Sequence, residues 1–65
     1  MKNKRGFTVQ YRIRQDIEYA KTVEDKVSQN MLVAKVLGAV DFAVEFGLIT
    51  YNEWSTYIDD IFQIV

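Results

Sequence analysis

One segment dominates what this chain can become. Between Met31 and Phe46, thirteen of sixteen residues are apolar or Gly, and only Lys35, Asp41 and Glu45 interrupt them. The chain has no Pro, so nothing in the run forbids a continuous helix. On that helix Lys35 lies about 120° round the axis from Asp41, so no single face is polar. A helix apolar nearly all round has to be covered on several sides. A 65-residue chain supplies at most two short neighbours, and a domain this small buries only about 60% of the surface its unfolded chain exposes. The run therefore predicts a central helix shared with another chain, with a symmetric homodimer as the default and a tetramer or ring as the larger variant. Ala34 and Gly38, and separately Ala39 and Ala43, stand four residues apart, a spacing at which a second helix approaches closely. The expected interface takes Met31, Ala34, Gly38 and Phe42 from this helix.

The end of the run carries the clearest local signal. Gly47 sits where a left-handed helix stop belongs. Thr50 and Glu53 form a T-x-x-E capping box, and Ile49 and Trp54 stand at the positions of a hydrophobic staple. One helix therefore ends near Phe46 and the next begins near Tyr51. So short a connection favours an antiparallel or angled helix pair turning at Gly47–Thr50. The last helix places Trp54, Ile58, Ile61 and Val65 on one stripe, widened by Tyr51, Tyr57 and Phe62. Trp54, Ile58 and Ile61 complete the expected interface.

The front of the chain is more ambiguous. Residues 1–6 read as a mobile basic arm. From Phe7 to Ile13 the apolar residues alternate, which is strand periodicity. A lone strand would have no partner in this chain, so the strand reading requires pairing with a second copy. The helix reading places Val9, Ile13, Ile17, Ala20 and Val27 on one stripe and starts near Thr8. Arg12–Asp16 and Arg14–Glu18 are i,i+4 pairs that support it. A break near Ser28-Gln29-Asn30 fits the capping preference of Ser and Asn. One unbroken helix from 8 to 46 is the alternative. Either way the fold class is all-α, a single domain of two or three helices forming an oligomeric bundle.

Composition narrows the chemistry. There is no Cys and no His, which removes disulfides, thiolate and imidazole metal ligands and the commonest general acid/base at neutral pH. No nucleophile–base pair and no phosphate loop can be assembled. Asp41 with Glu45, and Asp59 with Asp60, are carboxylate pairs without further converging ligands. The carboxylates mark the solvent side of their helices or pair with Arg or Lys across an interface; Asp41 and Glu45, which interrupt so apolar a helix, are the best candidates for a buried salt bridge. Residues near Gly47 resemble the second half of a calcium-binding EF-hand loop. Aligning Gly47 and Glu53 puts Phe42, Val44 and Phe46 at the oxygen-ligand positions, so the motif is a cap and not a calcium site. The expectation is no catalytic residue, no metal and no cofactor.

Charge is uneven. Lys2, Lys4, Arg5, Arg12 and Arg14 give residues 1–14 a charge of +5, and the rest of the chain carries −6. This pattern suits either contacts between copies or an arm that touches nucleic-acid phosphates. No basic recognition helix follows the Gly47 turn, which disfavours a standard DNA reader. No signal peptide is apparent. The apolar run is too short and too charged for a transmembrane span, so no membrane is expected and a cytoplasmic location is the default. The Pro-free, His-free chain with its Gly-x-Ile-Thr-x-x-Glu-Trp end resembles small helical proteins of phages and mobile elements of low-GC Gram-positive bacteria. The expected function is a non-enzymatic protein–protein interaction or assembly protein. The alternative is a small nucleic-acid-associated regulator using the basic arm.

Overall fold

The computed structural model describes residues 8–64. The expected arm at 1–6, with Lys2, Lys4 and Arg5, lies outside the described residues, as do Phe7 and Val65. Three helices follow in order: α1 (Val9–Thr22), α2 (Lys26–Glu45) and α3 (Tyr51–Phe62). No strand occurs among the described residues. The alternation from Val9 to Ile13 is therefore helical. Thr8 caps α1, its hydroxyl accepting from the Tyr11 amide at 3.2 Å, and Ile13, Ile17 and Ala20 turn to the core.

The break between α1 and α2 falls at Val23-Glu24-Asp25, earlier than Ser28–Asn30 and in place of a continuous helix. Its cause is Asp25. Extended at φ −73°, ψ 119°, it accepts a hydrogen bond from the Ser28 amide at 3.0 Å, the arrangement of an N-cap. Ser28 thus sits in the first turn of α2. Gln29 reaches back so that its Nε2 donates to the Ala20 carbonyl at 3.0 Å, satisfying an acceptor freed by the end of α1. The break rotates α2 relative to α1. Val27 consequently leaves the predicted α1 stripe and is 67% exposed.

The Gly47 turn has the predicted chemistry. Gly47 adopts φ 74°. The Leu48 amide donates to the Ala43 carbonyl at 2.8 Å and the Gly47 amide to the Val44 carbonyl at 3.2 Å, which is a Schellman ending. Thr50 Oγ1 then accepts from the Glu53 amide at 3.0 Å while Glu53 Oε1 accepts from the Thr50 amide at 2.7 Å. The capping box is complete.

The core combines Ile13, Ile17 and Ala20 of α1, Val33, Val36, Val40 and Ala43 of α2, Ile49 of the turn, and Tyr57 and Ile61 of α3. Trp54 and Ile58 pack half-buried against it. Tyr51 and Phe62, expected to widen the α3 stripe, are exposed. Arg14 joins α1 to Asp60 of α3, and Lys21, Gln29, Gln63 and Ile64 line one cleft. The end of α3 therefore lies beside the beginning of α2. The Cα positions span 37 × 25 × 14 Å, a slab thin enough that each helix keeps an outer side.

Candidate interaction surface

The buried residues of α2 (Gln29, Val33, Val36, Val40 and Ala43) recur at three and four, so they share one face. The opposite face holds Val27, Met31, Ala34, Gly38 and Phe42, again at steps of four, three, four and four. All five are exposed. Phe42 stacks obliquely on Phe46 one turn further on, with ring centroids 4.5 Å apart. Val27, Met31, Phe42 and Phe46 are each more than half exposed. Among the described residues, a helix apolar on two opposite faces is covered on one of them.

The bare stripe is narrow and neutral. Lys35 borders it on the side of α1 and Asp41 on the side of α3. At its middle, a Cβ placed on Gly38 meets nothing within 4 Å. Gly in a helix interior costs about 1 kcal/mol relative to Ala. No packing within the described residues of this chain requires that cost. On the α1 side the stripe continues into a shallow cleft of about 390 Å³, lined by Val9, Ile13, Ala39, Phe42, Ala43 and Leu48 with Arg12 and Asp16 at its rim.

The structure separates the predicted interface residues into two groups. Met31, Ala34, Gly38 and Phe42 come together on the bare stripe. Trp54 and Ile58 face inward and are half-buried, and Ile61 has no exposed surface, so it belongs to the core of the chain. Asp41 and Glu45 are exposed and form no salt bridge among the described residues. Asp41 instead accepts a hydrogen bond from the Trp54 indole Nε1 at 2.7 Å, and Tyr51 stacks on Trp54 with centroids 5.2 Å apart. This clasp holds α3 to α2, and the sequence reading missed it. An isolated Asp on an apolar helix was its available signal, because the N–H of a partly buried Trp usually finds an acceptor.

Arg12 and Arg14, expected at an anionic partner, have different surroundings. Arg12 is largely exposed and pairs with Asp16 at 3.5 Å. Arg14 binds Asp60 at 2.8 Å and Glu18 at 3.8 Å, and its guanidinium stands 5.3 Å from the centroid of the Tyr57 ring. Burial pushes the Tyr57 hydroxyl above its ordinary range, with Glu53 adding to the effect and Arg14 opposing it. Arg14 thus contacts both Glu18 of its own helix and Asp60 of α3. Among the described residues no group of three Asp or Glu side chains stands close enough to hold a metal ion.

The complete helix α2 is also longer than its apolar run. At 20 residues it is long and apolar enough to cross a membrane by length and composition, whereas the expectation concerned the shorter run Met31–Phe46. Comparison of the chain with known protein families, curated proteins and solved structures finds no match.

Proposed function

We propose that this protein is a non-enzymatic interaction protein that works by docking the outer face of α2 on a protein surface, with α2 and α3 as an antiparallel pair behind it. The observation that carries the reading is the stripe Val27, Met31, Ala34, Gly38, Phe42. It is apolar, continuous and exposed over the length of the longest helix, with an interior Gly that nothing else in the described chain uses. Single exposed apolar residues are ordinary on protein surfaces, whereas contiguous patches mark contact sites. A cytoplasmic setting fits the reading.

The nucleic-acid alternative is weaker on one observation. Arg14 is drawn into contact with Asp60 and Tyr57, with 40% of its side chain still exposed, which leaves Arg12, 74% exposed and paired with Asp16, as the more accessible of the two basic residues of this set among the described residues. Its test is an electrophoretic shift with duplex DNA at low salt, where phosphate contacts are strongest.

The reading itself is tested by a photo-crosslinking residue placed at position 38 or position 24 in the producing cells. Protein adducts from position 38 and none from position 24 support docking through α2. No adduct from position 38 overturns it. Turnover of a substrate by the purified, cofactor-free chain would overturn the non-enzymatic part.

A further inference from the structure

We infer that the occupant of the α2 face is a second copy of this chain, docked antiparallel with the two α2 helices crossing between Ala34 and Gly38. The inference rests on the docking role of that face and adds its partner.

Three observations carry it. The first is area. Val27, Met31, Phe42 and Phe46 are 67%, 64%, 56% and 65% exposed, and Leu48 beside them is 47% exposed. At ordinary side-chain areas they present on the order of 500–600 Å² per chain. Two copies face to face then remove about 1,000–1,200 Å² from water, at the threshold of a specific interface.

The second is the order of sizes along the stripe. It reads bulky, small, small, bulky: Met31, Ala34, Gly38, Phe42. The order is symmetric about residue 36. A two-fold axis there sets Met31 beside the partner's Phe42, and Ala34 beside the partner's Gly38. The small pair then lies where the backbones come closest, and each bulky end closes over the other. A two-fold interface requires such self-complementarity. It also gives the open space at Gly38 a physical use.

The third is charge. No ionised group lies within the central part of the stripe from Met31 to Phe42; Lys35 and Asp41 stand at its borders. A two-fold axis at residue 36 sets the two Lys35 side chains on one rim of the contact and the two Asp41 side chains on the other, where both pairs stay in water. A lipid surface fits less well. An interfacial helix carries bulky apolar residues throughout and cationic residues on its polar side, whereas this stripe narrows to Ala34 and Gly38 and has Asp41 beside it. Full insertion would place Lys35 and Asp41 in hydrocarbon.

The test is mass in solution, by light scattering, from low-micromolar to near-millimolar chain. The expected result is a rise from 7.6 kDa to twice that value. Gly38→Leu and Phe42→Glu should each weaken association by about tenfold or more, while Glu24→Gln leaves it unchanged. Gly38→Leu should keep full helicity at dilute concentration, since a Cβ at this position meets nothing within 4 Å. If it does not fold, Phe42→Glu and Met31→Glu carry the test.

Orientation has its own readout, because the natural chain has no Cys. A mixture of Ala34→Cys and Gly38→Cys chains should form the mixed disulfide faster than either chain links to itself. Faster like-with-like linking would overturn the antiparallel arrangement. A monomer at all concentrations would overturn the second copy alone and leave the face to a foreign partner. Sedimentation of that monomer with phosphatidylcholine vesicles would assign the face to lipid and overturn the proposal. A dimer indifferent to Gly38, Met31 and Phe42 substitutions would overturn both the inference and the docking role of the face.

Discussion

Arg14 and Asp60 meet at 2.8 Å across the α1–α3 contact, with the Arg14 guanidinium lying over the Tyr57 ring. The helices they join are the first and last of the three described, and the pair ties α3 to α1 beside the shared core. Both side chains keep roughly a third or more of their surface in water, so screening limits the gain. Asp60→Ala is expected to cost about 1 kcal/mol or less. Arg14→Ala is expected to cost more, because it also removes the cation over Tyr57 and the packing of the Arg stem. A double-mutant cycle by urea unfolding reads the coupling. Zero coupling would show that the pair is ornamental.

Gln29 is the buried polar residue of the core region, 9% exposed, and its amide donates to the Ala20 carbonyl across the α1–α2 break. Gln29→Leu keeps the volume and leaves that acceptor with only the long bond from the Val23 amide at 3.4 Å. The expected cost is about 1–3 kcal/mol. Thermal melting checks it, and an unchanged melting point would mean that water replaces the amide without loss.

The two glycines of the described chain should respond oppositely to Ala. Gly47 has φ 74°, where a Cβ costs about 1–2 kcal/mol. Gly38 is helical with open space around it, so Gly38→Ala should stabilise the dilute monomer by up to about 1 kcal/mol. Thr50→Ala, beside the first of these positions, should cost about 0.5–2 kcal/mol by removing the cap, and Thr50→Ser should restore most of it. Denaturant midpoints at constant slope are the measurement. Equal effects at Gly47 and Gly38 would contradict the geometry.

Acid should loosen the start of α2. Hydrogen bonds from Ser28 hold the Asp25 carboxyl below its ordinary value of 3.8. A carboxyl with a depressed folded-state pKa contributes stability above its unfolded value, and that contribution is lost as pH falls through the folded value. The melting point of the natural chain should therefore drop below about pH 3.8 more steeply than that of Asp25→Asn, which keeps a capping oxygen and does not titrate. Parallel melting curves for the two chains would count against the cap.

The sequence by itself determined the features that arise within a few residues. Gly47, Thr50 and Glu53 specify their turn because every bond in it joins neighbours. The all-α class follows from a Pro-free chain with helical apolar spacing. Local signals were less decisive at the first break, where Asp25, Ser28 and Asn30 all qualify as caps. Asp25 is the one that caps α2, accepting from the Ser28 amide. Tertiary structure alone decided which side of the doubly apolar helix α2 is covered, because its residues suit burial on either face and only the seats of α1 and α3 choose between them. It likewise decided that Ile61 is core, that Asp41 serves Trp54, and that Arg14 is held by Asp60. Those contacts join residues whose separation in sequence says nothing of their distance in space.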